Sequence, residues 1–373
     1  MIKGIAIKER DIILRPEVNY REITALNCSM VKLFDTDPVK FFEQYKLGKK
    51  IEKKKTTSII IGDIADFYLL DCKGDENEFD IRHDEKFALF NGVKGSGQVF
   101  VLADILFDVT KEYVNDKNEI TVAFDTRFSE AFQKVQLTGK YNGKTEDKAL
   151  EDFYKNGYDY FQTLLDNLGK TVVDLSLIDK SKRVAKLLMD DPFTEDVFRD
   201  SPDCELFTKY PIEWIYVSRD GSNKVCKCKS EIDIMKIDHK NKIIYLKDLK
   251  TNYDNENFEY SYLKYRYDLQ NAFYYLAVNY WKNENGMEDY TVTPMEFIVG
   301  DTSSNNRRPI RYQMTEKDLD AALNGCYISG TYYKGLHQII GEISWAETNN
   351  IWNCSRLAYE NKGILTLNLK YDK

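Results

Sequence analysis

Apolar positions recur at helical spacing through most of the first two hundred residues, then switch to a period of two near Tyr210. Met30, Val31, Leu33 and Phe34 follow Asn27-Cys28-Ser29, which predicts a helix with Ser29 as its N-cap. Asp37-Pro38 opens a second helix carrying Phe41, Phe42 and Tyr45, with proline in the first turn. Ile59 to Leu70 reads as a buried helix in which Asp66 is an unexpected charge. Residues from about 75 to 200 read as mostly helical. The periodicity is strongest from Ala149 to Leu168, through Tyr154, Tyr158, Phe161, Leu164 and Leu165. Gly157 falls inside that run and costs a helix about 1 kcal/mol relative to alanine. A further helix is expected from Lys180 to Met189.

Beyond Tyr210 the elements change. Pro211 to Ser218 is a strand, and Arg219-Asp220-Gly221-Ser222 is a hairpin signal. Lys224 to Lys236 and Lys242 to Lys250 are two further strands, joined by the polar turn Asp238-His239-Lys240-Asn241-Lys242. A helix from Leu263 to Trp281 follows, then a strand from Val292 to Val299. The tail reads as helices, including Asp318 to Leu323 and a segment from Tyr332 to Ile343. The expected class is therefore α/β (α+β), a mixed central sheet flanked by helices with a large helical insertion. With no internal repeat or linker, one elaborated domain is expected. Its parts are residues 1–74 as N-terminal helices, about 75–205 as the insertion, about 206–300 as sheet and helix, and about 301–373 as a C-terminal elaboration.

Composition narrows the class. The 373 residues are 43% hydrophobic, rich in Tyr (26) and Phe (20) and poor in Pro (7), as a chain with a substantial core must be. No apolar run is long enough to span a bilayer, so no membrane partner is expected. Met1 to Arg10 is charged too early for a secretory segment, and a cytoplasmic location follows. Seven cysteines are scattered, and Cys226 and Cys228 alone form a close pair, read as two strand residues in a reducing compartment. His83, His239 and His337 are too dispersed for a zinc site. A net charge of −8 argues against coating nucleic acid by bulk electrostatics, though not against a nuclease with local cationic lining. Basic runs stand at Lys46, Lys49, Lys50, Lys53, Lys54 and Lys55 and at Arg307, Arg308 and Arg311; both read first as solvated charged faces.

The third strand carries the chemistry. Ile244, Leu246, Asp248 and Lys250 project to one face, so an aspartate and a lysine continue a buried aliphatic surface. Such burial costs several kcal/mol per charge unless it is compensated. Asp233 on the neighbouring strand adds a second carboxylate. Acidic-x-Lys triplets alone carry little information, because Glu52-Lys53-Lys54, Asp71-Cys72-Lys73, Asp84-Glu85-Lys86 and Glu146-Asp147-Lys148 all sit in polar context. Two carboxylates and a lysine converging at strand ends point to a divalent cation and phosphodiester hydrolysis. On the following helix Gln270 and Tyr274 share a face at i and i+4. Glu213, on the adjoining strand, is an outlying candidate ligand.

These pieces resemble the PD-(D/E)XK nuclease superfamily, and within it the branch of exodeoxyribonuclease VIII, the lambda-type exonucleases and the RecB nuclease domain. Glu231-Ile232-Asp233, Asp248-Leu249-Lys250-Thr251 and Gln270-Asn271-Ala272-Phe273-Tyr274 match its G-x-x-D, D-x-K-T and Q-x-x-x-Y motifs in order and spacing. Leu26 to Lys32 and Asp37-Pro38 look like its N-terminal helices, and Gly62-Asp63-Ile64-Ala65-Asp66 looks like its G-x-x-x-H helix. Asp66 stands where that branch usually carries histidine, and Ser230 where it usually carries glycine.

The resemblance implies a restriction-endonuclease-like fold, with Mg2+ or Mn2+ held by Asp233, Asp248, Asp66 and the Leu249 carbonyl. Lys250 would orient or deprotonate the attacking water, Gln270 would position Lys250 or a phosphate, and Tyr274 would pack on the strand. It implies an exonuclease resecting double-stranded DNA ends in recombination or repair, working with a single-strand annealing protein and admitting a homo-oligomer. An endonuclease or structure-specific nuclease with the same site, and a catalytically silent DNA-binding or assembly protein, are the alternatives. No iron–sulfur cluster is expected, since Cys326 and Cys354 lie too far apart for the family's tight trio. The Lys, Asn and Tyr richness is compatible with a bacteriophage or its low-GC host.

Overall fold

Asn27, rather than Ser29, caps the first helix: its side chain accepts the Met30 N–H in a computed structural model describing residues 24–49, 55–95, 97–117, 119–199, 201–219, 224–303 and 305–366. The charged stretch Met1 to Arg10, Lys50, Lys53 and Lys54 of the first basic run, and Asp220 to Ser222 of the hairpin signal lie outside the described residues. The chain divides into two units: residues 1–54 with 187–373, and residues 55–186.

The first unit begins with helices α1 (Cys28–Thr36) and α2 (Pro38–Tyr45), the second capped by Asp37 with Pro38 in its opening turn. Three antiparallel strands follow, β1 (Cys204–Val217), β2 (Val225–Asp238) and β3 (Ile243–Asn252). The β2–β3 turn forms as its sequence dictates: Asp238 accepts from the backbone and side chain of Asn241, and Lys242 takes φ +55°.

The single helix expected from Leu263 to Trp281 is two, α3 (Phe258–Lys264) and α4 (Tyr267–Glu284), broken at Arg266 in the left-handed region. The strand expected from Val292 to Val299 is likewise two, β4 (Thr291–Val292) and β5 (Glu296–Asp301), separated around Pro294, which lacks the N–H to continue a ladder. A further strand, β6 (Ile310–Gln313), was not expected from the sequence. The sheet order is β1-β2-β3-β5-β6, with β4 also on β3. β3 runs parallel to β4 and β5, whereas the other pairs are antiparallel. Helix α4 is thus the crossover between two parallel strands, β3 and β5.

The tail adds α5 (Glu316–Asn324), a small hairpin β7 (Cys326–Ile328) and β8 (Thr331–Tyr333), and α6 (Leu336–Asn349). Tyr332 therefore begins no helix; it sits in a strand opposite Tyr327. One core joins a face of the sheet to the helices. Tyr210, Ile212, Trp214, Ile244 and Leu246 meet Phe273 and Ala277 of α4, Val31 and Phe34 of α1, and Ile339 and Ile343 of α6. Phe273 and Trp214 stand edge to face at 4.9 Å. Cys226 and Cys228 belong to this core as free thiols.

The second unit is mostly helical, with a short parallel ladder, Phe87–Phe90 on Thr171–Asp174, that the sequence did not reveal. Its main core packs Leu102, Leu106, Phe128, Phe132, Phe153 and Phe161. The helix expected from Ala149 to Leu168 breaks into Glu146–Asn156 and Tyr158–Asp166 at Gly157, where an added Cβ would meet Val99 Cγ2 at 2.7 Å. Thr57–Asp66 is a helix, continued by a wider turn at Phe67–Asp71, and falls in this unit rather than with the N-terminal helices of the first. Among the described residues no helix is long and apolar enough to cross a membrane.

Candidate active site

Asp248 and Lys250 lie on β3 beyond Ile244 and Leu246, on the face that the alternation predicts. Asp248 is completely buried. Gln270, in the first turn of α4, donates from Nε2 to Asp248 Oδ1 at 2.6 Å, and Lys250 Nζ is ion-paired with Asp248 Oδ2. Asp233, on β2, stands close enough to Asp248 for each carboxylate to shift the other, and its Oδ2 accepts the Leu249 N–H at 3.3 Å. The Leu249 carbonyl accepts from Lys250 Nζ at 3.3 Å. The meander brings the two carboxylates together, and the crossover helix supplies the amide that orients one of them.

Two further lysines enter the cluster. Lys32 of α1 donates to Gln270 Oε1 at 3.4 Å, and its ammonium lies 4.9 Å from the centre of the Tyr267 ring. The Lys250 ammonium lies 5.0 Å from the same ring. Lys209 of β1 contacts Asp233 Oδ1 at 2.9 Å. Neither Lys32 nor Lys209 was expected at the site. Lys32 had a signal: Cys28, Lys32 and Asp35 follow one another at i, i+4 and i+7, putting two charges on the inward stripe of α1. Lys209 had none, because nothing in Thr208-Lys209-Tyr210 distinguishes it from an outward strand lysine.

The electrostatics follow from burial and contact. Burial, with the charge of Asp233 added, raises Asp248 to about 7 despite Lys250. Burial opposes ionisation of Asp233 too, but Lys209 and Lys250 hold it below the usual carboxylate range. Burial would neutralise Lys250, yet the two aspartates push it above the usual lysine range, so it stays an ammonium at neutral pH. At neutral pH it therefore presents a positive charge and not a proton acceptor. Lys32 is pulled below its usual range by burial.

These shifts predict a pH dependence. A carboxyl group raised in the folded state binds a proton that the unfolded chain has already lost, so folding weakens as pH rises from about 4 through about 7. Between pH 5 and pH 8 in EDTA, urea unfolding is expected to show a loss on the order of 2–4 kcal/mol. Asp248→Asn should flatten that slope; an equal slope in the variant would remove Asp248 as its source.

Three further site residues are expected from the sequence, Glu213, Tyr274 and Asp66. Glu213 is exposed on β1, opposite Lys229 and on the face away from Ile212 and Trp214, so the alternation of the strand turns it from Asp248. Tyr274 is half-buried on α4 and packs against the main core. Asp66 ends the helix Thr57–Asp66 in the second unit. The first unit by itself offers Asp233, Asp248 and the Leu249 carbonyl. Among the described residues, no group of three or more His, Cys, Asp or Glu is gathered for a metal.

The described residues of the basic runs are ion-paired. Lys46 meets Glu347, Lys49 meets Glu43 and Lys55 meets Asp63. Arg307 meets Asp254, Arg308 meets Asp191, and Arg311 meets Glu296 and Asp196. No protein-family model matches this chain, and no curated protein matches it.

Proposed function

We propose that the protein is a metal-dependent nuclease of the PD-(D/E)XK kind, hydrolysing phosphodiester bonds of DNA at the Asp233–Asp248–Lys250 cluster. The observation that carries the proposal is the close approach of buried Asp248 to Asp233 beside the Lys250 ammonium. The order helix, three-strand meander, crossover helix and parallel strand agrees with the restriction-endonuclease-like core implied by the motifs.

The donor set fits Mg2+ or Mn2+. Two carboxylates and a carbonyl are hard oxygen ligands, and Mg2+ is commonly bound through one or two carboxylates together with water and substrate phosphate. Carboxylates pressed together out of water repel each other, and a divalent cation removes that repulsion. Asp233, Asp248 and the Leu249 carbonyl would hold it. When bound, such an ion supplies Lewis acidity toward the phosphate and a lowered pKa for attacking water.

The remaining roles belong to the chain. Lys250 presents a permanent positive charge where the phosphate gains negative charge in the transition state. Gln270 fixes the rotamer of Asp248, and Lys32 holds the amide of Gln270 so that its NH2 faces Asp248. Lys32, Lys209 and Lys250 supply local positive charge in a chain of net charge −8.

An exonuclease acting on double-stranded ends, working with a single-strand annealing protein, is the form that the motifs favour. The test is linear duplex labelled at either end, beside a covalently closed circle, in Mg2+, Mn2+ or EDTA. Degradation of the linear DNA with metal and survival of the circle are expected. Cutting of the circle would make it an endonuclease with the same site. No metal-stimulated cleavage of any DNA or RNA would leave a catalytically silent binding or assembly protein.

A further inference from the structure

Thr208 pairs with Ile234 and Tyr210 with Ile232, which leaves Lys209 and Asp233 facing each other outside the β1–β2 ladder. Lys209 takes φ +49°, the left-handed region, in the middle of a strand. For a residue with a Cβ that conformation costs about 1–2 kcal/mol. The inward-facing parity of both strands changes across this break. Phe207 and Tyr210, three residues apart, place their rings 5.2 Å from each other, and Ile232 and Met235 both lie in the main core. Strict alternation would put only one residue of each pair on that face.

Glycine or asparagine would occupy such a backbone position with less strain. Lysine brings a charge instead: Lys209 Nζ is 2.9 Å from Asp233 Oδ1, with the two side chains only 21% and 16% exposed. Asp248 has Lys250 as its cation, and Asp233 has Lys209. The carboxylate pair is thus flanked by two ammonium groups, Lys250 from β3 on Asp248 and Lys209 from β1 on Asp233.

We propose that Lys209 is the counter-ion of the metal-free site: its ammonium neutralises Asp233 until a divalent cation enters, and entry of the cation displaces it. This rests on the metal-site assignment made above. Lys209 is in this sense a positioning residue, keeping the acidic pair assembled without metal while weakening the affinity for metal. The strain at its backbone is the consequence of bringing a long cationic side chain to Asp233 from the neighbouring strand.

The test is Mn2+ binding by calorimetry, with melting temperatures in EDTA and in saturating Mn2+, on wild type, Lys209→Gly, Lys209→Arg and Asp248→Asn. Lys209→Gly is expected to bind Mn2+ at least about tenfold more tightly, because the ion no longer competes with a unit charge at hydrogen-bond distance. The melting-temperature gain on adding Mn2+ should be larger in Lys209→Gly than in wild type, and Lys209→Arg should stay near wild type. If wild type binds Mn2+ and Lys209→Gly binds it equally or more weakly, the role of Lys209 is overturned while the metal site stands. If wild type binds no Mn2+, or binds it as Asp248→Asn does, the metal site itself falls and the role of Lys209 with it. Should Lys209→Gly fail to fold by circular dichroism, Lys209→Asn carries the same comparison, since asparagine tolerates the left-handed region and has no charge.

Discussion

Asp248→Asn is expected to lose metal-stimulated DNA cleavage by about 1,000-fold or more while melting at a higher temperature than wild type in EDTA at pH 8. The loss follows from removing one of the two carboxylates that the first unit brings together, with the several kcal/mol that a bound metal contributes to phosphoryl transition states. The gain in stability follows from the same geometry. At pH 8 Asp248 is ionised with no access to water and close to Asp233, although burial and that neighbour raise it to about 7. An isosteric amide keeps an acceptor for Gln270 and removes the repulsion. Lower activity with an unchanged or lower metal-free melting temperature would mean that the two carboxylates do not oppose each other. Wild-type activity in Asp248→Asn would remove the site altogether.

Arg266→Ala is expected to destabilise the first unit by about 3–5 kcal/mol, the range for removing one partner of a buried ion pair. Arg266 is 8% exposed, pairs with Asp35 of α1 and Asp268 of α4, and donates to the Lys334 carbonyl at 2.6 Å. Its guanidinium also lies 5.6 Å from the centre of the Tyr333 ring. Removing it leaves two carboxylates in a partly dry place with no cation between them. Arg266→Gly should be less damaging than Arg266→Ala by about 1 kcal/mol, because φ is +50° there and glycine adopts that region without strain. Urea unfolding checks both: the midpoint should fall with the slope unchanged. A loss below 1 kcal/mol in Arg266→Ala would mean that water replaces the guanidinium. Arg266 stands immediately before α4 and four residues before Gln270, so the same clamp fixes the end of the helix that reaches Asp248.

The strands were legible because alternation is a local property. Ile244, Leu246, Asp248 and Lys250 share a face in the structure for the reason that the sequence gives, and the Asp238–Lys242 turn forms from its own side chains. Breaks between elements were less legible. Arg266, Gly157 and the Thr293–Met295 step interrupt runs whose apolar spacing continues across them. The interruption is set at Arg266 by its ion pair with Asp35, distant in sequence, and at Gly157 by close contact with Val99. The ladder Phe87–Phe90 with Thr171–Asp174 pairs short segments distant in sequence, and β6 is only four residues long, so local propensity carries little of their stability.

The sequence by itself determined the mixed sheet, the crossover helix and the chemical identity of the central residues Asp233, Asp248, Lys250 and Gln270. It could do so because motif spacing and side-chain period are properties of a few adjacent residues. The tertiary structure decided which charges meet. It turned Glu213 to the exposed face and brought in Lys32 from a helix 238 residues away from Gln270. It also bent β1 at Lys209 so that an otherwise ordinary lysine faces Asp233. Electrostatic partnership depends on distance in space and on exclusion of water, and neither is written in the spacing of residues along the chain.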